Sequence, residues 1–223
     1  PTPYGSSAAS DVYKRQLYSA MEDFKIDILI DSGPNARTVR IDLEPFTLVG
    51  ATTRLGNIST PMRDRFGAIF RLDFYQKGEI FKILKRTASI LEMNIQDDAL
   101  TEIAGRSRGT PRIANRVLKR VRDFAQVKNV KEISLEDARS SLDSIGIDEN
   151  GLENMDRKIL KNLIVNYNGG PTGGKSLAIS INEDIQTIED VYEPYLIKEG
   201  FIERTSRGRI ATDKAYALFD LKK

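Results

Sequence analysis

The sequence predicts an α/β segment followed by an all-α region that ends in a winged helix. Short apolar runs of strand length fall within the first 75 residues, whereas apolar residues recur at helical spacing from residue 76 onward. Three helical stretches and then a hairpin occupy the last part of the chain, residues 148–223. That order is typical of a winged helix, a variant of the helix-turn-helix.

Composition limits the chemistry that this chain can carry out. Its 223 residues allow one or two domains, and the formal net charge of +2 means that any basic surface must be local. It has no cysteine and no histidine, which excludes disulfides and the usual zinc sites. No apolar run is long enough to span a bilayer, and the N-terminus lacks a signal-peptide pattern. A cytoplasmic location is therefore the default expectation.

The N-terminal part predicts a leader, a helix end and a hairpin. Residues 1–16 are small, polar and unpatterned, as in adaptor or vector-derived sequence, so we exclude them from the fold prediction. Residues 17–24 predict the end of a helix. Residues 25–30 and 38–43 are rich in β-branched residues and are separated by turn formers, which predicts a β-hairpin with a long tip.

Two further strands are predicted at residues 46–50 and 68–74, where apolar runs are bounded by polar loops. Small hydroxyl residues, Thr52 and Thr53, follow the first strand, and ligands bind at such strand ends in α/β sheets. The loop before the second strand carries Arg63 and Arg65 on either side of an aspartate. Guanidinium groups suit phosphate oxygens because they stay charged and bind in a bidentate way. A salt-bridge cluster in a solvated loop is the alternative.

Residues 76–147 predict a bundle of helices. Thr110 and Pro111 suit the N-cap and the first position of its longest helix, and an apolar stripe continues to Phe124. Arg112 falls in the first turn, where a helix end favours anions. The alternative for this basic helix face is ordinary solvated surface.

The C-terminal region predicts helices at residues 155–167, 177–181, 184–199 and 213–219, with strands at 201–205 and 209–212, after a polar linker at 148–151. The hairpin carries Arg204, Arg207 and Arg209, which could reach the phosphates of DNA. A solvated hairpin is the alternative.

Residues 169–176, GGPTGGKS, satisfy the Walker A pattern in full. A working P-loop connects a strand to a helix, so that backbone amides surround the phosphates. Here the preceding residues have helical periodicity, and no later apolar strand ends in an aspartate that could hold magnesium. We therefore expect no nucleotide to bind at this segment, and a small-molecule kinase rests on this pattern alone.

Residues 46–75, FTLVGATTRLGNISTPMRDRFGAIFRLDFY, closely resemble the RuvB family, with Met62 where that family usually has leucine. The segment GTPRIANR resembles the same family, and the likeness runs from about residue 17 to 219. It implies an AAA+ motor that drives branch migration of Holliday junctions. It also implies part of an AAA+ large subdomain at 17–75, a helical lid subdomain at 76–147 and a DNA-binding winged helix at 148–223.

The resemblance implies roles for particular residues. The matching positions are Thr52 and Thr53 for sensor 1, Arg63 and Arg65 for the arginine finger, Arg112 for sensor 2, Glu22, Asp23, Phe24 and Tyr75 for other nucleotide contacts, and Arg204 and Arg209, with Arg207 between them, for DNA. It leaves open which of Arg63 and Arg65 is the finger. A solvated helix end is an equal alternative for residues 22–24.

The resemblance also implies ATP as the nucleotide, with Mg²⁺ held by residues absent from this chain. In the family, the P-loop and the magnesium-binding motif lie upstream of the position of Leu17, so the chain looks like a fragment that we expect to be inactive alone. Apolar side chains such as Leu48 and Ile69 would then lack strand partners.

The partners that the resemblance implies are Holliday junction DNA, RuvA through the 25–43 hairpin, RuvC in the resolving complex, and further copies in a hexameric ring. An ordinary hairpin packed on its own domain is the alternative at 25–43. The alternative for the whole chain is a non-enzymatic winged-helix DNA-binding regulator, which needs neither sensor nor finger arginines.

Overall fold

The structure is a computed structural model that describes residues 16–29, 38–52 and 54–222. Thr53 and the tip of the 25–43 hairpin lie outside the described residues. The chain divides into two compact units, one ending at Leu72 and one beginning at Asp73.

The first unit contains a helix, α1, at residues 16–23 and the predicted hairpin, which is confirmed. Strands β1 (Lys25–Leu29) and β2 (Thr38–Asp42) are antiparallel, with Ile28 opposite Val39. A 3₁₀ turn at Leu55–Asn57 and the short helix α2 (Thr60–Asp64) follow.

The predicted strands at residues 46–50 and 68–74 are wrong. Both stretches run without a paired neighbour, and in the described residues only β1–β2 and the C-terminal hairpin form ladders. Val49 is 86% exposed and Leu72 is 96% exposed. A strand needs backbone hydrogen bonds to a second strand as well as an apolar sequence. The apolar pattern of the sequence shows only the second of these requirements and says nothing about the pairing.

Four helices form the first half of the second unit. They are α3 (Lys77–Ile90), α4 (Asp97–Gly105), α5 (Pro111–Val127) and α6 (Leu135–Ser144). Their apolar stripes meet in one core that includes the fully buried Leu84, Leu118 and Leu142. Ser134 caps α6 through its side chain, whereas Thr110 occupies the N-cap of α5 without a side-chain cap bond.

A second core lies in the C-terminal half of this unit, around Leu160, Leu177, Leu196 and Phe201. Its elements are α7 (Asn154–Tyr167), α8 (Gly174–Ile181), α9 (Ile185–Thr187), a π-helical turn (Ile188–Tyr192), α10 (Glu193–Lys198), β3 (Ile202–Thr205), β4 (Gly208–Ala211) and α11 (Asp213–Ala217).

The winged-helix prediction is confirmed, with one refinement in the third helix and one in the wing. The helix predicted at 184–199 is built from α9, the π-helical turn and α10 in succession. Strands β3 and β4 pair antiparallel, and Thr172 bridges to Arg209 on the outer side of β4. That bridge ties the loop before α8 to the wing.

We expect Leu118→Ala to lower the free energy of unfolding of the second unit by about 2–5 kcal/mol, because it leaves a cavity among the helices. Val127→Ala, on the same helix, should change it by no more than about 0.5 kcal/mol, since that side chain is 82% exposed. Urea unfolding followed by circular dichroism measures both. Equal losses for the two variants would contradict this assignment of the core.

Candidate functional site

In the first unit, Arg65 and Glu22 lie together. The Nη2 atom of Arg65 is 3.0 Å from Oε1 of Glu22, and its Nη1 atom donates to the Pro61 carbonyl at 2.7 Å. The same guanidinium lies 4.4 Å from the centre of the Tyr18 ring. Two residues predicted from separate stretches of sequence therefore form one cluster, in which Arg65 is held by its own unit.

The other predicted residues of this unit are arranged around short local contacts. Arg63 donates to the Thr60 hydroxyl at 3.0 Å, and the Thr52 hydroxyl accepts from the Arg54 amide at 3.0 Å. The Phe24 ring packs edge-on against Phe46, with ring centres 5.8 Å apart. The Asp23 side chain is exposed.

An open cavity of about 250 Å³ lies beside Arg65, with walls that include Met21, Phe24, Phe46 and Phe66. Thr47 and Arg65 add polar groups to these apolar walls.

In the second unit, Tyr75 is bonded to the turn that precedes α5, and Arg112 follows that turn. The Tyr75 amide donates to the Gly109 carbonyl at 2.9 Å, and Arg112 is exposed in the first turn of α5. Gly109 has a φ of +66°, and a Cβ there would lie 2.7 Å from the Tyr75 carbonyl oxygen. Only glycine meets both conditions without strain. The turn thus holds the backbone of Tyr75 at Gly109, three residues before Arg112 along the chain.

The three arginines of the wing differ in their surroundings. Arg207 is exposed in the turn between β3 and β4. The Arg204 side chain is 55% exposed, with Nη2 3.4 Å from Oε1 of Glu189. Arg207 is therefore the one of the three placed at the tip of the hairpin.

Arg209 does not match its predicted role as a DNA contact, because it is only 6% exposed. Its Nε donates to Glu193 and its Nη2 to Glu189, both at 2.6 Å. Burial lowers the pKa of Arg209, but the hydrogen bonds and charges of the two glutamates outweigh that effect and raise it overall. A guanidinium held in this way by two carboxylates serves the structure of the wing.

The glycine-rich segment at 169–176 is explained by packing against the wing. A Cβ at Gly174 would lie 2.5 Å from Nη1 of Arg209, and a Cβ at Gly170 would lie 2.2 Å from the Arg209 carbonyl oxygen. The segment follows the helix α7 rather than a strand. Gly170 and Gly174 are therefore required by Arg209, and the fit of this segment to a nucleotide phosphate is poor.

Carboxylate clusters for a divalent cation are missing from the described ranges, in which no three acidic side chains lie close enough to hold a metal ion. The described residues thus do not provide a carboxylate site for Mg²⁺. Among the helices of these ranges, none combines the length and the apolar character needed to cross a membrane.

The sequence prediction missed a buried polar turn between α4 and α5. Arg106, Ser107 and Arg108 are each less than 8% exposed, and Asp156 on α7 is fully buried. Charged residues are rarely buried unless they are paired, and sequence spacing does not reveal a pairing across 48 residues. The one local sign was the density of arginine in a stretch bounded by Gly105 and Gly109.

Three family models match successive parts of the chain. The Holliday junction DNA helicase RuvB P-loop domain matches residues 9–72, the RuvB AAA lid domain matches 75–148, and the RuvB C-terminal winged helix domain matches 149–220. The first match begins at residue 9, inside the stretch that we had excluded as a leader.

The chain is also similar to whole RuvB proteins. It is 57% identical over 205 residues to the Holliday junction branch migration complex subunit RuvB of Oleidesulfovibrio alaskensis, covering 92% of this chain and 64% of that protein. With the same subunit of Prosthecochloris aestuarii it shares 59% over 203 residues, 91% of this chain and 59% of that protein.

Among solved structures, the Thermotoga maritima RuvB Holliday junction branch migration motor superposes with a TM-score of 0.82 at 46% identity, over 94% of this chain and 65% of that one. The fold is therefore that of RuvB, with its AAA lid and winged-helix domains. The chain spans less than two thirds of the length of these relatives.

We expect Gly174→Ala to destabilise the chain by about 1–3 kcal/mol, because the new methyl group overlaps a guanidinium held by two buried hydrogen bonds. Lys175→Ala, an exposed neighbour, is the matched control and should leave the melting temperature unchanged. Thermal unfolding measures both variants. If calorimetry found ATP binding that Lys175→Ala abolishes, the segment would be a P-loop after all.

Proposed function

This chain belongs to the RuvB family, and on that premise we propose that it acts in ATP-dependent branch migration of Holliday junction DNA. In this role it supplies sensor, finger and DNA-contacting residues to a larger assembly. The observation that carries the proposal is the match of three successive RuvB family models to one chain. A winged-helix regulator would not need the first two of these domains.

We propose that Arg65, or Arg63 beside it, acts on ATP bound by a neighbouring subunit. A guanidinium next to the γ-phosphate stabilises the charge that develops as the phosphoryl group leaves, and it does so without proton transfer. Arg65 is now held by Glu22 and by the Pro61 carbonyl. Both contacts are with partly exposed groups, so a phosphate could replace them at small cost.

The remaining nucleotide roles follow the same geometry. We propose that the Thr52 hydroxyl, together with Thr53, orients the attacking water, and that Glu22, Asp23 and Phe24 lie near the nucleotide. In the second unit, Arg112 would sense the γ-phosphate of its own subunit and Tyr75 would contact the nucleotide. The bond from the Tyr75 amide to the Gly109 turn, which precedes Arg112, supports this proposal. Mg²⁺ would be held by residues outside those described.

We propose that the wing holds DNA through phosphate contacts made by Arg207, assisted by Arg204. The partners in this proposal are RuvA at the β1–β2 hairpin, RuvC in the resolving complex and further copies in a hexameric ring, in the cytoplasm. Exposed apolar residues on the hairpin, Ile28, Val39 and Ile41, support the RuvA contact.

To test the finger, Arg65→Ala and Arg63→Ala are made at the matching positions of a complete RuvB and mixed with the unmodified protein. If the arginine acts on the neighbour's nucleotide, its replacement should lower ATP hydrolysis of the mixed ring by more than the fraction of variant subunits. The rate of the pure variant should fall by a factor on the order of 10³–10⁵. The rate of phosphate release is measured against the mixing ratio.

The matched control is Arg71→Ala, an exposed arginine of the same unit that no role is assigned to. It should leave the mixed ring unaffected. If Arg65→Ala and Arg63→Ala both behaved like this control, neither residue would be the finger and the proposed motor function would lose its chemical basis.

For the wing, we expect Arg207→Ala to weaken binding of the chain to Holliday junction DNA equally for different sequences, and to reduce the slope of log K against log salt by about 1. Fluorescence anisotropy at several salt concentrations measures this. Lys128→Ala, an exposed lysine on the lid, serves as the control. Affinity that stays unchanged at low salt would refute the assignment of Arg207.

A further inference from the structure

The turn between α4 and α5 is buried although its side chains are charged or polar. Arg106 and Arg108 are 7% and 6% exposed, and Ser107 is fully buried between them. Removing two guanidinium groups from water is costly unless each is matched by a carboxylate and by hydrogen bonds. The partners of these arginines therefore show which elements the turn connects.

Arg108 is bound by the winged helix from three sides. Its Nε donates to the Gly151 carbonyl at 2.9 Å, its Nη2 donates to Oδ2 of Asp156 at 2.5 Å, and its guanidinium lies 4.8 Å from the centre of the Tyr195 ring. Asp156 is fully buried, and it also accepts the amide of Glu153 at 2.7 Å. A residue of the lid is thus enclosed by the start of α7 and by α10.

Tyr195 closes the far side of this site. Its hydroxyl donates to the Asn150 carbonyl at 2.7 Å. Burial raises the pKa of Tyr195 to about 12, so the hydroxyl keeps its proton at neutral pH. The polar stretch at 148–151, which the sequence predicts to be a linker, is therefore bonded at Asn150 and at Gly151 and does not behave as a loose connection.

Arg106 ties the same turn back to the lid. Its Nη2 donates to Glu102 on α4 at 2.7 Å, and its Nη1 donates to Asp143 on α6 and to the Ile147 carbonyl, both at 3.1 Å. Arg106 thus anchors the turn in the lid, and Arg108 anchors it in the winged helix.

The anchored turn leads directly into the residues proposed to meet nucleotide. Gly109 follows Arg108 and accepts the Tyr75 amide, and Arg112 lies three positions further on. On the other side, Nζ of Lys198, at the end of α10, lies 4.6 Å from the centre of the Phe74 ring. The winged helix therefore touches both the buried turn and the segment that leads into Tyr75.

We propose that Arg108 is a positioning residue, which joins the turn carrying Arg112 to Asp156 so that the lid and the winged helix move as one body. Breaking this pair leaves an unpaired charge in a dry site, so a hinge opening at 148–151 is strongly disfavoured. Any movement of the lid at Arg112 would then move the wing as part of the same rigid body. This last step rests on the proposed function, whereas the rigid connection does not.

The connection is tested on this chain by distance measurements between two spin labels. Because the sequence has no cysteine, Val127→Cys on the lid and Ile179→Cys on the winged helix, which are 82% and 81% exposed, provide unique labelling sites. Pulsed electron paramagnetic resonance should give one narrow distance distribution for this parent. Asp156→Asn and Arg108→Lys should each lose that narrow distribution, since the first removes the carboxylate and the second replaces the planar fork that donates to both Asp156 and the Gly151 carbonyl.

The matched control is Arg116→Ala, which removes a second ion pair across the same boundary, 3.1 Å from Glu153 but with the arginine 62% exposed. It should leave the distribution narrow, because exposed pairs contribute little. Circular dichroism checks that each variant is folded. If Asp156→Asn unfolds, Arg108→Lys still tests the pair, because it retains the buried positive charge. A broad distribution in the parent, or a narrow one in Arg108→Lys, would overturn the proposal.

The link to the motor is tested separately in a complete RuvB. Arg108→Lys at the matching position should reduce the branch migration achieved per ATP hydrolysed, whereas Arg65→Ala should lower hydrolysis itself. If Arg108→Lys broadened the spin-label distribution in this chain but left branch migration per ATP hydrolysed unchanged, the coupling would be refuted. The proposed function would remain intact. If neither Arg65→Ala nor Arg63→Ala affected hydrolysis, the proposed function would be refuted while the rigid connection would remain intact.

Discussion

Pairing of buried guanidinium groups with carboxylates is the constraint on which the helical part of this chain depends. Arg108 with Asp156 joins the two halves of the second unit, and Arg209 with Glu193 joins the wing to α10. In each case a charge has been taken out of water, so the partner has to stay in place for the fold to be stable. The apolar cores bury the helix faces, and these pairs add fixed links between the elements that they connect.

The same constraint explains several residues that looked functional. Gly174 is small because the guanidinium of Arg209 occupies the space above it, and Gly170 is small because the backbone of Arg209 does. Gly174 and the exposed Lys175 are two positions of a phosphate-binding pattern that the fold does not use. A motif of this kind is defined by spacing, whereas the chemistry depends on which element delivers the loop.

The limits of sequence-based prediction follow from the range of the interactions. Helices such as α5 and α7 were predicted nearly to their ends, since their periodicity and caps are local, and the hairpin β1–β2 was found for the same reason. The strands at 46–50 and 68–74 failed because pairing requires a neighbour. Within the site, exposed arginines could be recognised by type and position, but the burial of Arg209 depends on two glutamates from another element.

The third helical stretch of the winged helix has a consequence for how DNA is read. In helix-turn-helix proteins this element enters the major groove and distinguishes base pairs. Here Glu189 and Glu193 on this stretch are paired with Arg204 and Arg209 of the wing, so their carboxylates are engaged within the fold. A stretch whose acidic side chains are taken up by the wing offers fewer groups for distinguishing base pairs, so the DNA contact that we propose for the wing would be independent of base composition.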